Sequence, residues 1–124
     1  MDKIEDTNVT LNMLKEEVKK FCEARDWDQY HSPKELAIGI STEAGELLDN
    51  FRFKSEKEME KLFEDKNKRE EICDELSDVF YFVLRFAQMN NIDLSKSLME
   101  KMKKNSEKYP IEKVKGLNKK YNEY

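Results

Sequence analysis

Two pairs of carboxylates are the features of this sequence most suited to chemistry. Glu43 and Glu46 form one pair, and Glu75 and Asp78 form the other. Acidic residues three apart lie on the same side of a helix, so each pair would present two carboxylates together. Carboxylate oxygens are the ligands that Mg²⁺ and Mn²⁺ favour in proteins. Because such pairs also occur by chance on solvated helix faces, the position of each pair has to decide between these interpretations.

Both pairs lie at the edge of an apolar stripe rather than opposite it. The apolar residues recur at helical spacing and are Leu36, Ile40, Leu47 and Phe51 on the first helix and Ile72, Val79, Val83 and Phe86 on the second. If the two helices pack together through these stripes, all four carboxylates converge. Their mutual repulsion and lost hydration then require a counter-charge. No Lys, Arg or His occupies a neighbouring position on these faces, so the sequence predicts a site for Mg²⁺, with Mn²⁺ as a substitute.

A di-iron carboxylate centre is the competing metal site for a helical protein. Such centres use two Glu-x-x-His pairs. The sequence contains one histidine, His31, so this alternative is excluded.

The elements that position the acidic pairs are all predicted to be helical. Apolar periodicity predicts helices over about residues 10–25, 33–51, 70–89 and 93–108, and a capping box that begins at Ser55 predicts a further short helix. With only three Gly and two Pro among 124 residues, a β-sandwich or barrel is disfavoured. We predict one all-α, four-helix bundle-like domain over residues 1–124, with a core of about 10–110 and a polar tail over 111–124.

The composition of the sequence limits the classes of partner that the protein is expected to bind. A net charge of −4 argues against nucleic-acid binding. The apolar run Val79–Leu84 is far shorter than the ~20 residues that span a bilayer, and the acidic, polar start does not resemble a signal peptide. We therefore expect a soluble, cytoplasmic protein without a nucleic-acid or membrane partner. The helix that contains Val79–Leu84 is apolar nearly all round, which predicts at least a homodimer.

Four segments of the sequence together resemble a known enzyme family. They are Glu43–Leu47 (EAGEL), Asp74–Val79 (DELSDV), Arg25–Pro33 (RDWDQYHSP) and the group Lys101, Met102, Asn105, Tyr109 and Pro110. In their order along the chain they resemble the MazG-like all-α nucleoside triphosphate pyrophosphohydrolases, in particular the dCTP pyrophosphatase branch, over about residues 11–120. The resemblance implies a dimer or tetramer that hydrolyses a (deoxy)nucleoside triphosphate to the monophosphate and pyrophosphate with Mg²⁺, as nucleotide-pool house-cleaning.

Carried over position by position, the resemblance also implies roles for individual residues. The catalytic metal ligands become Glu43, Glu46, Glu75 and Asp78. The substrate-binding residues become Trp27, His31, Phe53, Phe82, Lys101, Asn105 and Tyr109. Trp27 would stack on a base, although a tryptophan here is also compatible with a core or dimer-interface position. His31 is expected to order the loop before the second helix through a backbone hydrogen bond.

Three positions depart from the dCTP-preferring relatives. This chain has Val18 where they place a histidine, Phe53 in place of tryptophan, and Phe82 in place of tyrosine. These are pocket positions, so the departures bear on the choice of base and not on the metal site. Cytosine is the first choice of base, with other pyrimidine or modified deoxynucleotides next. The alternatives are the same fold acting on dUTP or a phosphoribosyl nucleotide, and a non-catalytic helical oligomerisation or regulatory module.

Overall fold

The computed structural model describes residues 3–123. This part of the chain contains α-helices and one 3₁₀ turn, and no β-strand. The elements are α1 (Leu11–Ala24), a 3₁₀ turn (Asp28–Tyr30), α2 (Pro33–Asp49), α3 (Glu56–Glu64), α4 (Lys66–Met89), α5 (Leu94–Lys108) and α6 (Ile111–Val114). The all-α prediction is confirmed. No helix within the described residues is long and apolar enough to cross a membrane.

The chain divides into two compact units. Within the described residues, the first comprises residues 3–91 and contains α1 to α4, and the second comprises residues 92–123 and contains α5 and α6. The predicted organisation as one domain over residues 1–124 stays a prediction.

Side-chain caps fix the helix starts that the sequence indicates. The Ser32 hydroxyl accepts a hydrogen bond from the Glu35 amide at 3.3 Å, and Pro33 occupies the first turn, where its missing N–H costs nothing. At α3 the capping box is reciprocal: the Ser55 hydroxyl accepts from the Glu58 amide, and the Glu58 carboxylate accepts from the Ser55 amide. These contacts satisfy N–H groups that have no partner inside the helix.

The longest helix starts earlier than its apolar pattern suggests. It was expected from about residue 70, but α4 begins at Lys66 because the Asp65 carboxylate accepts from the amides of Asn67 and Lys68, at 3.0 and 3.1 Å. Asp65 also ends α3, so one residue separates the two helices. The first turn of α4 is wholly polar and gives no periodic signal. Likewise, the single turn of α6 within the polar tail is too short to show a period.

In the first unit, α4 contacts α1, α2 and α3, and its most extensive contact is with α2. The fully buried apolar side chains include Leu36 of α2 and Ile72 of α4, which belong to the two predicted stripes. Cys22 of α1 and Leu84 and Ala87 of α4 complete this core. The α2–α4 contact therefore determines where the acidic pairs lie.

Candidate functional site

The contact between α2 and α4 brings the four carboxylates together. The pKa of Glu43 is raised, first by its partial burial and then by the charges of Asp78, Glu46 and Glu75, in that order. Like charges raise the pKa of a carboxyl group when they lie near it. Glu43 and Glu75 are partly buried, whereas Glu46 and Asp78 are exposed. The resulting acidic cluster is half in the helix interface and half open to solvent.

The negative charge of the acidic cluster is not balanced by a protein cation. Within residues 3–123, none of its four carboxylates forms an ion pair. Its one hydrogen-bond donor is Asn50, whose Nδ2 donates to Oε2 of Glu75. The same amide nitrogen contacts the carbonyl oxygens of Glu46 and Leu47 at 3.3 and 3.2 Å. Asn50 therefore joins the C-terminal end of α2 to the acidic residue on α4.

The chemistry of the donors suits a hard divalent cation. Within the described residues, no group of three or more Asp, Glu, His and Cys side chains is already arranged to hold a metal ion. The acidic cluster nonetheless offers only oxygen donors and is accessible at Glu46 and Asp78. Burial, and after it the repulsion of the other carboxylates, raises the pKa of Glu43. A bound divalent cation would relieve that repulsion, and oxygen ligands favour Mg²⁺ or Mn²⁺ over softer metals. The donor types present therefore suit the predicted ion.

A chain of edge-to-face aromatic contacts connects two of the predicted substrate-binding residues. Trp27 packs on Phe21 with ring centroids 5.8 Å apart, Phe21 packs on Tyr81 at 6.1 Å, and Tyr81 packs on Phe82 at 5.0 Å. The Tyr81 hydroxyl lies 3.0 Å from the buried Cys22 sulfur, and this contact holds the ring in the middle of the aromatic chain. Trp27 remains 37% exposed. Its indole is thus supported from one side and open on another.

The other pocket positions lie in different environments. Phe53 is 89% exposed and has a positive φ of 63°, with the Arg52 guanidinium 4.8 Å from its ring centroid. It is therefore not a core residue. Phe82 is partly buried and lies against Gly39 of α2. Val18 lines a cavity of about 330 Å³ together with Glu17, Phe21 and Tyr81.

Sequence reasoning missed Arg85, although this residue holds the segment before α2. Its side chain is 1% exposed. Nε donates to Nδ1 of His31 at 3.0 Å, one terminal nitrogen donates to Gln88 at 2.7 Å, and the other pairs with the Asp28 carboxylate. His31 is thus held through its side chain by Arg85, and its backbone N–H also donates to the Asp28 carbonyl at 3.3 Å. The available signal was a charged residue directly after the apolar run Val79–Leu84 and before Phe86 and Ala87.

The remaining predicted substrate-binding residues belong to the second unit. Lys101 and Asn105 lie one turn apart on α5, Lys101 exposed and Asn105 partly buried. Tyr109 caps the C-terminal end of α5 through its backbone N–H, which donates to the Asn105 carbonyl at 2.8 Å. Its ring contacts Tyr121 with centroids 6.2 Å apart.

Comparison with known proteins relates this arrangement to characterised relatives. The chain is 31% identical over 112 residues to dCTP pyrophosphatase 1 of Rattus norvegicus, covering 90% of this chain and 66% of the relative. It is 30% identical over 114 residues to dCTP pyrophosphatase 1 of Homo sapiens, covering 92% and 67%. The chain thus spans about two thirds of the length of these relatives.

A solved structure shows the same fold. A pyrophosphatase from Archaeoglobus fulgidus superposes with a TM-score of 0.76 and 32% sequence identity, covering 87% of this chain and 99% of the other. The family comparison matches residues 38–124, a range that contains the whole acidic cluster. By this match, and by a fold shared with a pyrophosphatase, the chain belongs to the MazG-like family.

Proposed function

We propose that the protein hydrolyses a nucleoside triphosphate to the monophosphate and pyrophosphate in an Mg²⁺-dependent reaction. The observation that carries this proposal is the convergence of four carboxylates from α2 and α4 without a balancing protein cation among the described residues. The names of the relatives support it, since two are dCTP pyrophosphatases and the solved structure is a pyrophosphatase.

In this proposal Glu43, Glu46, Glu75 and Asp78 hold the ion. When bound, Mg²⁺ would neutralise charge on the triphosphate and lower the pKa of a water molecule. The protein contributes position: the carboxylates are attached to two packed helices, and the Asn50 amide restrains Glu75. Metal-ligating groups that are held in place before the substrate arrives need little rearrangement during the reaction.

The aromatic chain is the part of the first unit that we assign to the base. Trp27 offers a partly exposed indole for stacking, which every base can accept. The cavity beside Val18 and the rings of Phe82 and Phe53 complete the proposed base site. Because the relatives are named dCTP pyrophosphatase 1, we propose dCTP as the substrate. Val18, Phe53 and Phe82 differ from the dCTP-preferring pattern, so a related pyrimidine nucleotide is the alternative. Lys101, Asn105 and Tyr109, which belong to the second unit, stay proposed substrate-binding residues.

We also propose that the protein is a homodimer or homotetramer. On α4, Leu76 and Phe80 are 55% and 41% exposed. Together with Val79 and Val83 they line an open apolar cavity of about 600 Å³. An exposed apolar face of this kind marks interaction surfaces in soluble proteins. Light scattering at micromolar concentration is expected to give at least twice the protomer mass, and a monomer mass would contradict this assignment.

A cytoplasmic location is part of the proposal. Cys22 and Cys73 are both free thiols, which is typical of proteins in a reducing compartment. Cell fractionation followed by immunodetection is expected to recover the protein with cytoplasmic markers.

A nucleotide panel tests the proposed activity. The protein is incubated with each deoxynucleoside and ribonucleoside triphosphate in Mg²⁺ or in EDTA, and pyrophosphate, phosphate, mono- and diphosphate are quantified. We expect equal amounts of monophosphate and pyrophosphate, only in Mg²⁺, with dCTP or another pyrimidine preferred. Glu43→Gln is expected to be inactive, whereas Glu70→Gln, an exposed acid elsewhere on α4, is expected to keep wild-type activity. Release of phosphate and diphosphate, or no turnover of any nucleotide, would overturn the proposal and favour a non-catalytic module.

A further inference from the structure

Arg85 is the one fully buried charged side chain among residues 3–123, and it is placed to control a specific property of His31. The guanidinium donates to three partners: the His31 imidazole, Gln88 on the next turn of α4, and Asp28 in the 3₁₀ turn. A buried charge is tolerated when its donors are satisfied in this way. Two of these three partners belong to the connector, defined here as residues 25–32.

The direction of the Arg85–His31 hydrogen bond determines the state of the imidazole. Arginine has donors and no acceptor, so Nδ1 of His31 must accept and carries no proton. Burial and the Arg85 charge lower the pKa of His31 more than Asp28 raises it. The imidazole is therefore neutral near pH 7, with its single proton on Nε2.

The Nε2–H group remains available to a ligand. No described residue forms a hydrogen bond with it. Because no buried side-chain nitrogen or oxygen among residues 3–123 lacks a partner, Nε2 is not completely buried. The imidazole centroid lies 6.1 Å from that of the partly exposed Trp27 indole. A fixed donor and an aromatic surface thus lie side by side on the connector.

We propose that Arg85 is a positioning residue that locks His31 as the Nε2–H tautomer, so that this N–H donates to an acceptor oxygen of the nucleotide bound at Trp27. The inference rests on the proposed function for the identity of the ligand. It assigns no proton transfer to His31: the imidazole is a hydrogen-bond donor of fixed direction. A tautomer chosen by a neighbouring group is a common way to orient a functional histidine.

Because the chain has a single histidine, nitrogen-15 NMR reads this tautomer without ambiguity. In the full-length protein near pH 7.5 we expect one imidazole nitrogen without a proton, assigned to Nδ1, and one with a proton, assigned to Nε2. Arg85→Lys keeps a positive charge but cannot reproduce the three-way contact, and we expect its two nitrogen signals to move towards each other as the tautomers exchange. Arg85→Met serves as a second variant if the lysine protein fails to fold.

Gln88→Ala is the matched control, since it removes another partner of the same guanidinium without touching His31. Its imidazole signals are expected to match the wild type. Addition of a non-hydrolysable dCTP analogue with Mg²⁺ is expected to shift the Nε2–H signal of the wild type. In steady-state assays, His31→Phe and Arg85→Lys are expected to raise KM about tenfold with little change in kcat, as for loss of one hydrogen bond to a charged group.

The outcomes separate this inference from the proposed function. A proton on Nδ1 in the wild type, or the same tautomer in both Arg85 variants, would overturn the positioning role. An unchanged KM in His31→Phe would overturn the contact with the nucleotide. If no triphosphate is hydrolysed but the analogue shifts Nε2–H only in proteins that retain Arg85, the enzymatic proposal fails and the positioning role is supported.

Discussion

The ring of Phe82 lies directly against the backbone of Gly39, so that a Cβ at position 39 would be 2.6 Å from two ring carbons and 2.8 Å from a third. This contact fixes the separation of α2 and α4 on the side of the aromatic chain. Gly39 therefore leaves room for the ring of Phe82, a proposed base-site residue, although glycine has a weak helix propensity.

Gly39→Ala is expected to destabilise the protein although alanine favours helices. The added methyl has to displace the Phe82 ring, and overpacking of this kind costs ~1–3 kcal/mol. Gly45→Ala on the same helix is the matched control, because its Cβ would meet nothing within 4 Å and should instead stabilise by ~0.5–1 kcal/mol. Urea unfolding in EDTA checks both variants, and a Gly39→Ala/Phe82→Leu double variant should recover much of the loss. Equal stabilisation by both alanines would contradict the contact.

Removal of charge from the acidic cluster should separate activity from stability. We expect Glu46→Gln or Asp78→Asn to abolish Mg²⁺-dependent pyrophosphate release, because an amide keeps the shape but not the charge that attracts the ion. Each change also relieves carboxylate repulsion, so in EDTA Tm should stay equal or rise. Mg²⁺ should raise the Tm of the wild type more than that of either variant. A variant that melts lower in EDTA and still hydrolyses triphosphates would refute the metal-site assignment.

Phe53 offers a test of whether an unfavourable backbone is retained for binding. Its φ of 63° lies in the left-handed region of backbone conformations. Glycine adopts this region freely, whereas phenylalanine does not. Phe53→Gly is therefore expected to raise stability by ~1 kcal/mol. It should also raise KM severalfold, since a base–aromatic stack contributes ~1–3 kcal/mol. Phe53→Ala is the comparison: it loses the ring without gaining the freedom of glycine, so KM should rise with no gain in Tm. An unchanged KM in both variants would remove Phe53 from the base site.

Stability should depend on pH through His31. Its pKa lies below the ordinary 6.5, so the unfolded chain takes up the proton at a higher pH than the folded one. The part of the free energy of unfolding that depends on a neutral His31 is fully present above pH 6.5. It is lost as pH falls through the pKa that His31 has in the folded state. Urea unfolding between about pH 8 and pH 5 should show a steeper loss for the wild type than for His31→Gln, which keeps an acceptor for Arg85 but does not titrate. Parallel curves would contradict this assignment.

The sequence predicts those parts of the fold that periodicity and capping chemistry determine. The stripes that contain Leu36 and Ile72 are buried as expected, because apolar spacing directly reflects which helix face leaves water. The start of α4 was misplaced because Asp65 caps a turn that has no apolar residue.

Long-range polar contacts account for what the sequence did not reveal at the site. Asn50 reads as an ordinary helix-end residue, and only the packing of α2 on α4 brings its amide to Glu75. In the sequence Arg85 only interrupts a series of apolar residues. Its role depends on His31 and Asp28, which lie 54 and 57 residues away. Periodicity carries no information about contacts at such separations. The acidic pairs were recognisable because both members of each pair lie on one helix face.

The Arg85 contacts also join two parts of the chain that are far apart in sequence. Asp28 and His31 lie on the connector with Trp27, whereas Arg85 lies 57 and 54 residues later on α4, the helix that also carries Glu75 and Asp78. One guanidinium thus acts as a mechanical link between the segment that carries the indole and the helix that carries two of the carboxylates. A displacement of α4 would therefore move both parts of the proposed site together.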